Sequence, residues 1–326
     1  MSSNGKRSGA APQPKPFRAG LIGHGTIGRE VERQLAAQGG RLAFIAGRDR
    51  TKDYPDVDVV FLAIPTLDDG SEARRYIELF TGRGVPVVTC EKGALANFYS
   101  ELRPRLDRIG LSATVGGGTR MLPKTKAKMD SHVSSVHAVV NGTLNFIMDG
   151  MATGHPLDEV VRQARERGYA EPQASSALEV LNGEAVGDVP KKTAILFNYC
   201  FESLGAGPVR AADIKGRPLT EADLATLQQR AAEFRFIVSI GTTPVAPSEA
   251  GLDLFKYTAG NWYINGGFRL AKLHLPELVV PGVDNALLLA RDLTGDPRRE
   301  LVAGGPGAGA EPTVGSMMLD ARELLY

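Results

Sequence analysis

FRAGLIGHGTIGREVERQLAAQ (17–38) runs from a short apolar strand through a glycine-rich turn into an amphipathic helix. Gly23, Gly25 and Gly28 satisfy G-x-G-x-x-G, with Thr26 and Ile27 filling the last two variable positions. The first glycine permits the tight turn, the second lets backbone approach a pyrophosphate, and the third lets helix and strand pack closely. The helix N-terminus adds free N–H groups and positive potential. A glycine turn alone is also common punctuation, so its surroundings decide. RLAFIAG (41–47), VDVVFLAI (57–64), EARRYIELFTGRG (72–84) and VPVVTC (85–90) continue an alternation of buried strand and helix. That pattern predicts a parallel sheet covered on both faces, an α/β dinucleotide-binding unit.

The tip of the second strand bears on which dinucleotide. An acidic residue there would hold the ribose hydroxyls of NAD. The chain instead has Gly47-Arg48-Asp49-Arg50-Thr51-Lys52, with Arg48 twenty residues after Gly28. Arg48 can lie over an adenine and pair with a 2′-phosphate, and Lys52 can assist, which favours NADP. Asp49 could still serve NAD, and a solvated basic loop is the bland alternative.

The remaining chain changes texture near residue 130. HAVVNGTLNFIM (137–148) reads as strand-like, and LDEVVRQARERGYAEP (157–172) and VPKKTAILFNYCFESLG (189–205) as helices. FRFIVSIG (234–241), NWYINGGFRLAKLHL (261–275) and NALLLARDL (285–293) read as antiparallel strands. A glycine-rich loop and a last helix close the chain. Met1 to Pro16 has no apolar core, which excludes a signal peptide and suggests a disordered tail.

Composition narrows the class. With 38 Lys and Arg against 37 Asp and Glu, the net charge of +1 gives no pull toward nucleic acid or membrane. At 43% hydrophobic and 23% charged, the chain can bury a real core. Two cysteines, Cys90 and Cys200, make no disulfide framework and suit a reducing, cytoplasmic setting. Five histidines show no metal-ligand spacing. Cys90 could be a thiol nucleophile, but a small core residue is the reading favoured.

Six blocks in order carry a resemblance: VPVVTCEKGALA (85–96), SATVGGGTRML (112–122), VNGTLNFIM (140–148), GYAEP (168–172), GDVPKKTAIL (187–196) and GPGAGAEPT (305–313). They resemble the homoserine dehydrogenases, which carry V-V-T-A-N-K-x-x-[LI]-A at the first block. The resemblance implies an N-terminal Rossmann domain (17–130) and an α+β substrate and dimerisation domain (131–300). A C-terminal segment (301–326) would return to the first, and the regulatory domain of longer relatives is not expected. It implies a homodimer and hydride exchange between L-aspartate 4-semialdehyde and L-homoserine. A related oxidoreductase for another amino or hydroxy acid is the alternative, and a sensor without turnover is a third reading, against which the paired lysines speak.

Hydride transfer to an aldehyde leaves negative charge on oxygen, which a cationic proton donor can meet. Lys92 and Lys192 fall in matching blocks, and the resemblance implies that both flank the reacting oxygen, with Lys92 also facing the cofactor. Burial and cationic neighbours would bring such a lysine toward neutrality. Which of the two donates is open. Asp188 lies four residues before Lys192, on the same helix face, and doubles as an expected N-cap, with Pro190 in the first turn. The resemblance further implies Glu171 and Tyr169 at the substrate, Gly142 and Thr143 (with Asn141) in a turn reaching it, and Gly305, Gly307 and Ala308 along the cofactor.

Three departures stand out. Relatives have a Glu where this chain has Ser112, which puts a monovalent cation in question. Arg120 replaces a proline in the G-G-I-P segment, and a guanidinium there would either bind a substrate carboxylate or reach solvent. The interval from Glu171 to Asp188 is 17 residues, several longer than usual, and Glu179 is the candidate for the acidic residue expected within it.

Overall fold

The computed structural model describes residues 15–47, 53–66, 69–170, 174–244, 251–293 and 296–326. Strands β1 (Arg18–Ile22), β2 (Arg41–Ala46), β3 (Val59–Leu62), β4 (Val87–Thr89) and β5 (Ile109–Gly110) form a parallel sheet in the order β2-β1-β3-β4-β5. Helices α1 (Thr26–Ala37) and α2 (Ser71–Gly82) are its long crossovers, and the short α3 (Gly93–Asn97) and α4 (Tyr99–Leu102) follow β4. Leu21, Phe61, Val59 and Val88 lie on one face of this sheet, and Ile22, Val60, Leu62 and Val87 on the other. A strand buried on both sides must be apolar throughout, which is why these segments read as unbroken hydrophobic runs. The order reverses at β1, so β1 and β3 splay a crevice at their carboxyl ends, where the fold binds ligands.

After α5 (Met121–Lys126) the second sheet begins. It comprises β6 (Val133–Val139), β7 (Arg235–Gly241), β8 (Leu252–Ala259), β9 (Trp262–Arg269), β10 (Asp284–Leu293) and β11 (Asp296–Pro306). All neighbours are antiparallel, in the order β11-β10-β6-β7-β9-β8. Between β6 and β7 come α6 (Gly142–Ala152), α7 (Leu157–Glu166), α8 (Ala177–Asn182), α9 (Val189–Phe201) and α10 (Glu221–Gln229), with α11 (Ala271–His274) after β9. One core joins the two sheets: Tyr76, Phe80 and Leu95 belong to the same buried cluster as Leu144, Phe197, Phe236 and Phe268. The final helix α12 (Ala310–Leu325) buries Val314, Met317, Met318 and Ala321 against Leu21, Val31 and Leu35 of the parallel sheet and α1.

Four expectations change. The strand-like run at 137–148 ends at Val139, and Asn141 starts α6 by accepting Leu144 N–H on its side-chain oxygen at 2.8 Å. The strand expected through 275 ends at Arg269. Ala271, Leu275 and Leu278 then fold over the far face of the antiparallel sheet against Val139, Ile237 and Leu288. β8 and β11 complete the sheet at its two edges, although glycine and proline break the alternation of β11. Finally, Asp188 does not open a helix. A π-helical turn over Gly183–Asp188 joins α8 to α9 without a break, and Asp188 has helical φ and ψ and makes no capping bond. Pro190 cannot donate to the ladder, and a widened turn just before it absorbs the missing bond.

Candidate active site

A cavity of about 450 Å³ opens at the carboxyl ends of β1, β2, β3 and β4. Gly23, His24, Gly25, Thr26 and Ile27 form one wall, and Gly47, Ala63, Ile64, Pro65, Tyr76 and Cys90 stand around them. Each glycine of the turn has a distinct reason. Gly23 has φ +90°, and a Cβ on it would lie 2.5 Å from the Ala63 carbonyl oxygen. A Cβ on Gly28 would lie 2.2 Å from the Gly23 carbonyl oxygen, so the third glycine permits the helix to start there at all. A Cβ on Gly25 would meet nothing within 4 Å. No side chain caps α1, which leaves its first N–H groups to an anion. The cleft therefore fits a dinucleotide with its pyrophosphate over Gly25.

This difference yields a test. Gly25→Val is expected to weaken dinucleotide binding at least tenfold while the melting temperature stays near that of the parent. Gly28→Ala is expected to lower the melting temperature, because a backbone carbonyl must move. Calorimetric titration and thermal unfolding of both variants read the two effects separately.

Lys92 follows β4 in a turn held at several points. Glu91 is 2% exposed, and its carboxylate accepts the Gly93 and Ala94 N–H groups at 2.6 and 3.0 Å. Thr89 Oγ1 accepts Glu91 N–H at 2.9 Å, and Thr66 Oγ1 accepts Lys92 N–H at 3.3 Å. Sequence reasoning missed Glu91, which stands where the resembling family has Asn. An acid two residues before a glycine, at the family's Asn position, was the available signal.

From that turn Lys92 Nζ reaches Asp188 Oδ1 at 2.6 Å, while Lys192 Nζ reaches Asp188 Oδ2 at 2.8 Å. One carboxylate thus lies between two ammonium groups brought from different halves of the fold. Burial opposes the charge on Asp188, but Lys192 and Lys92 outweigh it and hold the carboxyl well below its usual range. Burial likewise opposes the Lys92 charge, and Asp188 outweighs it, so Lys92 holds its proton more tightly than an ordinary lysine. The expected lowering of lysine toward neutrality is thereby reversed for Lys92. Lys92 is thus a loaded proton donor.

Asn141 ties this centre to α6. Its side-chain nitrogen donates to Glu184 Oε2 at 2.5 Å and to Asp188 Oδ2 at 2.9 Å. Glu184 lies in the π-helical turn, and burial first, then the Asp188 charge, push its carboxyl up to about 7. It was not anticipated. Glu179, the anticipated acid, is instead spent at the start of α8, accepting from Ser175 N–H and Oγ at 2.6 Å each.

The other expected residues divide. Thr143 is buried and its hydroxyl donates to the Tyr169 carbonyl at 2.7 Å, so it holds the neighbouring loop from below. The Tyr169 ring meets Phe146 edge-on at 5.4 Å. Gly142 packs against Val283 and Ala308, where a Cβ would lie 2.7 Å from the Val283 carbonyl oxygen. Gly305 sits in β11 opposite Asn285 and does not line the cleft. Glu171, Arg48 and Lys52 lie outside the described residues. Cys90 does line the cleft, but burial pushes its thiol up to about 11 despite Lys92 nearby, which suits a packing residue. Among the described residues no three His, Cys, Asp or Glu side chains converge as a metal ion would need.

Arg120 is the main correction. Its guanidinium does not enter the site but donates to Glu323 Oε2 at 2.6 Å and lies 3.3 Å from Asp320 Oδ1, both on α12. Ser112 belongs to the same cluster, giving Asp320 its N–H at 2.8 Å and its hydroxyl at 2.6 Å. The two departures from the family pattern, at 112 and 120, thus meet on one buried carboxylate.

Comparison with known proteins gives the family and the fold. The homoserine dehydrogenase family profile matches residues 121–321. A homoserine dehydrogenase of Synechocystis is 29% identical over 280 residues, covering 83% of this chain but 58% of the relative's own length. Among solved structures, a homoserine dehydrogenase of Thermoplasma acidophilum superposes with a TM-score of 0.70 at 18% identity, covering 94% of this chain and 98% of its own. A hyperthermophilic archaeal homoserine dehydrogenase in complex with NADPH gives a TM-score of 0.63 at 20% identity, covering 94% of this chain and 96% of its own.

Proposed function

Because the chain belongs to the homoserine dehydrogenase family, we propose that it interconverts L-aspartate 4-semialdehyde and L-homoserine with NADP, NAD being the second choice. The observation that carries the reading is Asp188 held between Lys92 and Lys192, on a chain whose glycine turn leaves a helix N-terminus open to a pyrophosphate.

The dinucleotide supplies the hydride, and this chain supplies the rest. The two ammonium groups polarise the carbonyl and stabilise the oxyanion as it forms, and one of them delivers the proton. Asp188 keeps Lys92 charged and fixes the spacing of the two lysines. In the reverse direction a lysine must first be neutral to take the hydroxyl proton, so oxidation is expected to quicken with rising pH. Glu171 and Tyr169 serve the substrate's ammonium end in this reading, and Arg48 with Lys52 the 2′-phosphate. Purified protein given homoserine and NADP, followed by absorbance of the reduced cofactor, tests it. Absence of turnover with either dinucleotide, in either direction, removes it. Arg48→Asp is expected to weaken NADP binding at least tenfold and NAD binding much less, since it replaces a phosphate partner with a like charge. Titration with both cofactors checks this.

The reading includes a homodimer in the cytoplasm, with residues 17–130 holding cofactor, 131–300 substrate and partner, and 301–326 closing on the first. For the partner we assign the part of the antiparallel sheet's outer face that residues 271–278 leave uncovered. His137, Ser239, Asn265 and Lys256 follow one another there in register across β6, β7, β9 and β8. Leu301 is 52% and nearby Tyr263 36% exposed, a mixed surface of the kind dimers bury. Sedimentation at micromolar concentration distinguishes monomer from dimer. No helix among the described residues is long and apolar enough to cross a membrane.

A further inference from the structure

Asn141 has no freedom at the centre. Its carbonyl oxygen is committed to the Leu144 N–H, which fixes the direction of its amide nitrogen. That nitrogen has two hydrogens, and each meets a different carboxyl group, Glu184 at 2.5 Å and Asp188 at 2.9 Å. Two acids are therefore moored to one nitrogen while the lysines occupy both oxygens of only one of them. Among the described residues Glu184 has no ion-pair partner, yet it is half-buried beside three formal charges. The charged groups facing it are Lys92 at the start of α3, and Asp188 and Lys192 at the start of α9. From α6 it meets the neutral Asn141, and on α8 Glu179 is turned to Ser175.

We propose that Glu184 is a positioning residue that acts by charge: its carboxylate, moored to the same amide as Asp188, sets how firmly Lys92 holds its proton. The sign follows from electrostatics. An ionised Glu184 adds negative charge near Lys92 and favours the ammonium form. That keeps the acid loaded for carbonyl reduction and delays the neutral amine that alcohol oxidation requires. Because burial lifts Glu184 to about 7, the added charge comes and goes near neutrality instead of being constant. The kinetic consequence rests on the dehydrogenase reading above, while the effect on Lys92 does not.

Glu184→Gln separates charge from shape, since the amide keeps an oxygen for Asn141. Without substrate, the rate at which an amine-directed acylating reagent labels Lys92 at pH 9, read by peptide mass spectrometry, is expected to rise about tenfold. This corresponds to a downward shift of about one unit. Glu184→Asp keeps the charge and is expected to label near the parent rate. In homoserine oxidation, the alkaline rise of kcat/KM should move to lower pH by a similar amount in Glu184→Gln only. Thermal unfolding serves as the folding control. The Gln variant should melt higher than the parent above pH 7, where the buried charge is present, and equally below pH 4, where it is absent. Unchanged Lys92 labelling in the folded Gln variant, or an equal change in the Asp variant, overturns the proposal. Altered labelling without turnover of homoserine in any form upholds it and overturns the substrate reading instead.

Discussion

Alanine at Lys192 is expected to lower kcat by about 10²-fold or more, and alanine at Lys92 to do the same, the usual scale for a lost general acid. The two lysines share one carboxylate, at 2.6 and 2.8 Å, so they act as a unit and the double variant should be little worse than either single one. Each single change leaves Asp188 with one ammonium, which preserves charge balance well enough for folding. Dinucleotide affinity should move by no more than a few-fold, because the glycine turn and the start of α1 form the binding wall. Lys191 is the internal control. It neighbours Lys192 in sequence but projects about 100° away around the helix, and its alanine variant should turn over normally. Steady-state rates in both directions, with cofactor titrations on the same preparations, check all of this. Near-normal kcat in both lysine variants would remove the mechanism and leave the fold untouched.

Local physics explains which features could be read from the chain. The turn at Gly23–Gly28 was legible because strand, glycine spacing and helix are contiguous, and the clash distances at Gly23 and Gly28 supply the reason for two of its glycines. The Asp188–Lys192 pair was legible because four residues make one helical turn. The Lys92–Asp188 pair was reachable only through family resemblance, since 96 positions separate the partners in the sequence. Glu184 escaped notice for a different reason. Its role depends on a π-helical turn that lengthens the path from α8 to α9, and hydrophobic periodicity carries no signal for such a turn. Asn141 looked like a turn residue because a capping Asn and a turn Asn are the same residue before the same glycine. The edge strand β11 was obscured by Pro297, Gly304 and Gly305, residues that usually interrupt sheets.

Arg120 shows most directly how a distant partner overrides a local reading, and its replacement should cost stability instead of altering substrate choice. Its side chain is 13% exposed and that of Asp320 is 4% exposed, so the pair is largely removed from water. Breaking such a pair by truncating one member leaves a buried charge with too few partners, at roughly 3 kcal/mol or more. Ser112 still gives Asp320 two hydrogen bonds, which keeps the figure near the lower end. The backbone adds a second contribution of opposite sign. Arg120 has φ +53°, the one non-glycine residue with positive φ among those described, and this strains any L side chain by about 1 kcal/mol. Arg120→Gly should therefore be about 1 kcal/mol less destabilised than Arg120→Ala, although both lose the same ion pair. Burial already raises the Asp320 carboxyl, against the pull of Ser112 and Arg120, and loss of the guanidinium raises it further. A raised carboxyl destabilises the fold when ionised and not when protonated. Both variants should then lose more stability at pH 8 than at pH 4. Denaturant unfolding at the two pH values measures the differences, and kinetics with homoserine and with deaminated and dicarboxylic analogues should show the parent's order of preference. A reordered preference with unchanged stability would return Arg120 to the substrate pocket and separate α12 from the loop it holds.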